Sequence, residues 1–249
     1  MLDAPLLVLV DLETTEAAPV PTGPSLELLT AARDLTSGGV VALALQPLDD
    51  AVSASLAGAG ATRLLTADLG ESAHLPAAAA DAVVAAVGTV QPAAVLVVSD
   101  YRGKELAGRA AVRLGSACVS DATALEAAGA GGDSVLRASK LVLSGSWSTT
   151  VAVGSAGGAP IIAVRPGITE VAAADGAALT AEPLEVPVSA EAAAVRLVSR
   201  EATSVASGPA LTEARTVVVG GRGVDGDFDL VRSLAQPLGA AVGATRVAC

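Results

Sequence analysis

Through residue 170 the chain alternates short, dense apolar runs with stretches of helical spacing. Leu6–Val10, Val40–Leu45, Thr62–Thr66 and Ala94–Val98 are runs of this kind. Most of them are apolar throughout rather than at every second position, as expected of strands buried on both faces of a parallel sheet. Between them, Pro24–Leu35 places Leu28, Leu29, Ala32 and Leu35 on one helical face. Ala51–Ala57 and Pro76–Val87 are alanine-rich helix candidates. In Lys104–Leu114, Leu106, Ala110 and Leu114 oppose the charged Lys104, Glu105, Arg109 and Arg113. Strands alternating with helices of about ten residues predict a doubly wound, mostly parallel α/β sheet. After the Gly129–Gly132 turn cluster the period changes to two. Ser134–Lys140 and Leu141–Val153 alternate like antiparallel strands, and Ile161–Val164 is one more short strand, ended by Arg165-Pro166-Gly167. This is a β-rich tail on the same sheet.

Residues 168–212 are rich in Ala, Glu, Pro and Ser, with Pro183, Pro187 and Pro209 as punctuation and one strand-like piece at Ala194–Ser199. The expected organisation is an N-terminal α/β domain over 1–170, an extended connector over 171–213, and the start of a second, Rossmann-like domain over 214–249.

Composition narrows the function. Hydrophobic residues make up 52% of the chain but aromatic ones only 1%, and the formal charge is −11. Stacking platforms for single-stranded nucleic acid need exposed rings, and phosphate backbones need cations; both are lacking, so a nucleic-acid partner is not expected. The two cysteines, Cys118 and Cys249, have no metal-ligand spacing and make no disulfide scaffold. Cys118, among apolar neighbours, is expected in the core. MLDAPLLVLVDLE has no basic leader, and the apolar stretch Pro76–Ser99 is broken by Asp81, Gly88, Gln91 and Pro92. A cytoplasmic protein without a membrane span is expected.

The richest chemistry lies in Thr216–Arg246, TVVVGGRGVDGDFDLVRSLAQPLGAAVGATR. Gly221, Gly223 and Gly226 satisfy G-x-G-x-x-G between a strand and a helix, the setting in which backbone N–H groups and a helix's positive end meet a phosphate. A dinucleotide site of the NAD type also needs a carboxylate at the end of the next strand, for the ribose hydroxyls. The chain has Gly243, Ala244, Thr245 and Arg246 there, a hydroxyl and a guanidinium instead. Arg246 is able to bind a phosphate bidentately or to lie against a flavin ring. A tight strand–helix turn with solvated arginines is the plain structural alternative.

TVVVGGRG and LGAAVGATR, together with Ala163–Gly167, LELLTAARDL at Leu26–Leu35 and SDATAL at Ser120–Leu125, resemble the alpha subunits of electron transfer flavoproteins. The order and spacing of these motifs carry the resemblance, which covers nearly the whole chain. It implies one FAD in the second domain, with Arg222 in contact with it, Gly221 and Gly223 shaping its loop, and Thr245 and Arg246 near the flavin. A cation beside the ring stabilises its anionic reduced form. The resemblance further implies a heterodimer with a beta subunit that carries AMP. Electrons would pass from dehydrogenases to a quinone reductase or similar acceptor. The chain would be an electron carrier, not a stand-alone catalyst, with no catalytic residue and no metal ligand assigned.

Two departures from the family pattern are visible. The later family segments that hold most of the flavin, among them a Gly-Gln-Thr-Gly loop, do not occur here. The resemblance is therefore to a C-terminally shortened form or fragment, expected to hold FAD weakly or not at all. Where the family often has Tyr-Gly-Gly-Asn, this chain reads Ser144, Gly145, Ser146, Trp147. The alternatives are a Rossmann-type NADP-dependent oxidoreductase, with an arginine taking the 2′-phosphate, and a non-redox nucleotide-binding α/β module.

Other residues carry weaker signals. His74, the only histidine, leaves no material for a His-based triad and is expected on the surface. Ser99-Asp100, at a strand's carboxyl end, is expected to be a helix cap or part of a docking surface. Trp147 is expected to be partly buried, with an interface anchor as the sharper alternative. Lys104, Arg109 and Arg113 are expected to be a solvated helix face.

Overall fold

A computed structural model describes residues 1–14, 19–129, 134–154, 158–171, 177–199, 208–209, 211 and 214–248. The chain divides into two compact units, Met1–Val198 and Ser199–Cys249.

In the first unit the elements follow as β1 (Leu6–Leu9), β2 (Leu12–Thr14), β3 (Pro19–Pro21), α1 (Gly23–Leu35), β4 (Val40–Ala44), α2 (Asp50–Ala59), β5 (Arg63–Thr66), α3 (Pro76–Val90), β6 (Ala94–Val98), α4 (Tyr101–Leu114), β7 (Cys118–Ala128), β8 (Val135–Val142), β9 (Trp147–Val153), β10 (Ile161–Val164), β11 (Ala181–Pro183) and α5 (Ala190–Ala193). Among the described residues nine strands form one sheet in the order β11-β5-β4-β1-β6-β10-β7-β8-β9. Every pairing from β11 across to β7 is parallel, whereas β7–β8 and β8–β9 are antiparallel. The fold is thus α/β, doubly wound and mostly parallel, with a β-rich tail.

The apolar runs form strands because both of their faces are covered. Leu6 and Val8 join one core cluster with Leu28, Leu29 and Leu56 of α1 and α2; Leu7 and Leu9 join another with Val83 of α3 and Leu106 of α4. Each fully buried leucine contributes roughly 1.5–3 kcal/mol relative to exposure. Helix starts are set by short polar side chains. Asp49 Oδ1 accepts from Val52 N at 2.8 Å, and Asp100 Oδ1 accepts from Gly103 N at 2.6 Å. Gly103 is required by close approach, since a Cβ there would lie 1.9 Å from the Val98 carbonyl oxygen.

Three features depart from the sequence reading. First, β7 occupies Cys118–Ala128, where no strand was expected. Polar Ser120, Asp121, Thr123 and Glu126 interrupt its apolar alternation, and Asp121 bends it at φ 59° beside a shift of register. Second, Ala194–Ser199 is not a strand. The chain instead forms α5, with Ser189 Oγ accepting from Ala192 N at 3.2 Å and Ala192 buried beside Ala77 and Ala78. Third, β11 lies within the span read as a connector. Its Pro183 is tolerated because edge strands do not need every N–H. Ala130, Gly131 and Gly132 of the expected turn cluster, and Cys249, lie outside the described residues.

In the second unit, β12 (Val217–Gly220) leads through a 3-10 turn at Arg222–Val224 into α6 (Asp229–Ala235), and a second 3-10 turn at Gln236–Leu238 leads into β13 (Ala241–Ala244). The two strands pair in parallel, Val217 opposite Ala241 and Gly220 opposite Ala244.

Candidate functional site

The parallel pairing of β12 and β13 sets the geometry of the glycine turn, because both strands present their carboxyl ends on the same side. The Thr245 N–H donates to the Gly220 carbonyl at 2.9 Å, continuing the ladder one step past the strands. Gly220 is held free of a side chain by Phe228, whose ring Cε1 would be 2.6 Å from an added Cβ. At Gly221 a Cβ would stand 3.9 Å from Thr245 Cγ2 and Oγ1, so that hydroxyl faces the glycine backbone. Gly223 has open space around it, and Arg222 and Arg246 are exposed. Among the described residues neither guanidinium forms an ion pair. Gly221, Arg222, Gly223, Thr245 and Arg246 therefore share one rim of the β12–β13 unit.

One sequence expectation about this rim does not hold. The helix after the turn does not offer an open positive end to a phosphate. It has only 7 residues and begins at Asp229, whose N–H donates to Asp227 Oδ1 at 2.9 Å. Asp225, in a left-handed conformation at φ 48°, and Asp227 add negative charge between the glycine turn and the helix, so its dipole is already met by carboxylates. Gly226, at φ 83°, turns the chain before the helix begins. The three aspartates were legible as residues, but the bond from Asp229 N–H to Asp227 needed the turn geometry. A cavity in this unit, about 410 Å³ beside Arg232, Gln236 and Gly239, lies at the amino-terminal end of β13, away from the arginine rim.

The first unit has a crevice of about 210 Å³ at the carboxyl ends of β1, β4 and β6, where the strand order reverses around β1. Asp11, Gln46, His74, Asp100 and Arg102 line it. Its charges are spent on one another. Arg102 Nη1 donates to Asp11 Oδ1 at 2.5 Å, and Arg102 Nη2 donates to the Ala73 carbonyl at 2.6 Å. Burial pushes the Asp11 carboxyl above its ordinary value, Arg102 pulls it down and Asp100 adds to the rise. Asp100 caps α4 as expected, and Ser99 Oγ donates to Asp121 Oδ1 at 2.9 Å. Sequence reasoning located this strand end but missed Asp11 and Arg102, which lie 91 residues apart.

The remaining candidates are placed plainly. His74 is exposed at the end of a 3-10 turn. Cys118 is exposed rather than in the core, at the first position of β7, directly after the largely exposed 115–117 segment. Desolvation of its sulfur still raises the thiol above its ordinary value, with Lys140 opposing. Trp147 is 65% exposed, further into solvent than expected. Lys104 and Arg109 lie on the solvated face of α4, pairing with Asp121 and Glu105. Arg113 departs from that face's description, since its guanidinium pairs with the buried Asp81. Among the described residues no cluster of His, Cys, Asp and Glu is arranged to hold a metal ion, and no helix is long and apolar enough to cross a membrane.

Residues 14–191 match the electron transfer flavoprotein domain, and residues 210–249 match the electron transfer flavoprotein FAD-binding domain. The chain is 36% identical over 227 residues to the electron transfer flavoprotein subunit alpha of Mycobacterium leprae, spanning 90% of this chain and 68% of that protein. It is 38% identical over 230 residues to the subunit alpha of Mycobacterium tuberculosis H37Rv, with the same 90% and 68% coverage. A third relative, the subunit alpha of Syntrophomonas wolfei, is 36% identical over 168 residues, 66% of this chain and 50% of that protein.

Proposed function

The chain belongs to the electron transfer flavoprotein family, on the side of its alpha subunits, and from that premise we propose that it carries electrons through FAD in a heterodimer with a beta subunit. The beta subunit would carry AMP, dehydrogenases would supply the electrons, and a quinone reductase or similar acceptor would take them. FAD is the cofactor of the domain matched at 210–249. The observation that carries the assignment of residues is the rim itself. It joins a side-chain-free backbone at Gly221 and Gly223, beside Thr245, to two exposed arginines with no carboxylate partner among the described residues.

The residues present fit part of this cofactor. Arg222 supplies a planar pair of donors suited to a phosphate or to a ring carbonyl. Gly221 and Gly223 let oxygen atoms approach the main chain, and the Thr245 hydroxyl both donates and accepts. Arg246 places a fixed positive charge on the same rim. When bound, FAD supplies the redox chemistry. Arg246 would hold its reduced, anionic ring more tightly than its neutral oxidised ring, which raises the potential. The absence of a carboxylate at Ala244-Thr245-Arg246 and the aspartates ahead of α6 both weigh against a nicotinamide dinucleotide.

The test is co-production of the full chain with its beta subunit, followed by a visible difference spectrum of the purified complex titrated with FAD. A flavin band is expected. Arg222→Ala should weaken FAD retention by about tenfold or more, the scale of losing one charge-assisted hydrogen bond. Arg246→Ala should make the flavin midpoint potential more negative. A complex without flavin absorbance, or two variants indistinguishable from the unchanged protein in retention and potential, would overturn the reading.

A further inference from the structure

We propose that the cavity between α3, α4 and the start of α5 binds a small organic monocarboxylate, its head held by Arg109 and Arg113 and its apolar body laid against alanine and glycine. The site lies wholly within the first unit and does not rest on the electron-transfer reading.

The cavity measures about 480 Å³, within the range of small-molecule sites. Its apolar lining comes from the buried Ala77 and Ala80 of α3 and from Gly108 and Val112 of α4. Gly108 stands inside α4, has no left-handed backbone, and has nothing within 4 Å of the Cβ it lacks. Neither conformation nor close packing requires a glycine there, and a glycine weakens a helix relative to alanine. Its effect is to leave the cavity open. Val112, one turn along and 82% exposed, extends the apolar surface toward the mouth.

Arg109 and Arg113 are four residues apart on α4 and so share one helix face. A carboxylate already orients each of them. Arg113 Nη1 donates to the buried Asp81, while Arg109 Nε and Nη2 donate to Glu105 Oε1 at 2.9 and 2.8 Å. These bonds leave Arg113 Nε and Nη2 and Arg109 Nη1 without an acceptor among the described residues. Arg102 in the switch-point crevice differs, since both of its Nη atoms are engaged. The Glu105 pair is exposed and adds little hold, so a ligand carboxylate is able to take its place. The planar fork of a guanidinium matches a planar carboxylate.

The facing wall sets the charge of the ligand. Ser189 Oγ accepts from Ala192 N at 3.2 Å and keeps its own proton to donate. Glu191 has no partner among the described residues. A second negative group on the ligand would meet that carboxylate, which favours a single charged head on an apolar body over a phosphate or a dicarboxylate.

The probe is para-fluorobenzoate. It is titrated into the full chain carrying isotope-labelled arginine, and NMR follows the fluorine line of the probe and the arginine Nε–H resonances. Saturable broadening of the fluorine line is expected, with shifts confined to Arg109 and Arg113, assigned through Arg109→Ala and Arg113→Lys. Arg109→Ala should weaken binding by about tenfold. Gly108→Leu should keep or raise the melting temperature yet abolish binding, because the new side chain fills the cavity. Gly88→Leu, the same change at an exposed α3 position that also has open space, should bind as the unchanged chain does. Para-fluorobenzyl alcohol, a body without the charge, and inorganic phosphate, a charge without the body, should each bind about tenfold more weakly or worse. Phosphate binding as tightly as the carboxylate would reduce the site to exposed cations, and equal binding of the alcohol would reduce it to apolar contact; either overturns the inference. So does the absence of saturable binding, or binding unchanged in Arg109→Ala or in a folded Gly108→Leu. Flavin retention is untouched by each of these outcomes, so the electron-transfer reading stands or falls by its own test.

Discussion

Arg113 and the Ser189 backbone, both later in the chain, reach the carboxylate of Asp81. Asp81 is 2% exposed on α3; its Oδ2 accepts from Ser189 N at 2.8 Å while Oδ1 takes the Arg113 guanidinium. One carboxylate thus fastens α4 and the segment before α5 to the same helix. Asp81→Ala would leave a backbone donor and a half-exposed guanidinium without partners. Because Arg113 is able to swing into water, the expected loss is about 1–3 kcal/mol, below the full cost of orphaning a buried charge. Urea unfolding followed by circular dichroism measures it. Gly103→Ala is expected to cost more than its small volume suggests, about 2 kcal/mol or more, because the new Cβ would meet a backbone carbonyl that has no room to yield. A melting curve unchanged in that variant would refute the tight β6–α4 turn. Neither role was legible beforehand. Asp81 stood out in the sequence only as a break in an apolar stretch, and Arg113 as one cation of a solvated face, because their partners lie 32 and 108 residues away.

The elements that sequence pattern located well are those buried on both sides, where composition alone decides. β1, β4 and β6 are entirely apolar and fully buried, and α1 carries Leu28, Leu29, Ala32 and Leu35 inward as its spacing indicates. The elements it missed have one face in water or only three residues. β7 mixes apolar and charged positions, and β11 owes its conformation to β5 rather than to its own sequence. That dependence yields a prediction. The Arg63–Glu182 pair is about half exposed, with side-chain accessibilities of 44% and 46%, so it is worth about 0.2–1 kcal/mol. Glu182→Gln should therefore speed amide exchange at Leu184, whose N–H donates to the Thr66 carbonyl at 2.8 Å, by about two- to fivefold. The hydrogen bond from Arg63 holds the Glu182 carboxyl below its ordinary value. Its stabilisation is thus complete above the unfolded-state value and disappears as pH falls through the lower folded-state value. Protection of the Leu184 amide should decline over that acidic window in the unchanged chain and show a smaller decline in Glu182→Gln.

At the scale of the whole molecule, the two units differ in how much they bury. The first buries β1, β4, β6 and β10 of its sheet on both faces. The second has, among the described residues, two paired strands and one 7-residue helix, and leaves Leu230, Leu234 and Leu238 at 60% exposure or more. A two-stranded sheet is marginal in water. Amides of β12 and β13 are accordingly expected to exchange orders of magnitude faster than those of β1, β4 and β6 in the same sample. Removal of residues 199–249 should shift the main calorimetric transition by no more than about 3 °C. A large fall in that transition would show that the first unit does not stand by itself. The sequence alone determined the α/β class, the buried strands, the glycine turn and the family, because dense apolar runs and local motifs depend only on neighbours along the chain. Tertiary structure alone decided that β10 inserts between β6 and β7, that β11 closes one margin, that Asp11 and Arg102 pair in the switch-point crevice, and that Trp147 of β9 stands in solvent. Each of these is a pairing across long stretches of chain, and its energy exists only once distant backbone and charged groups leave water together.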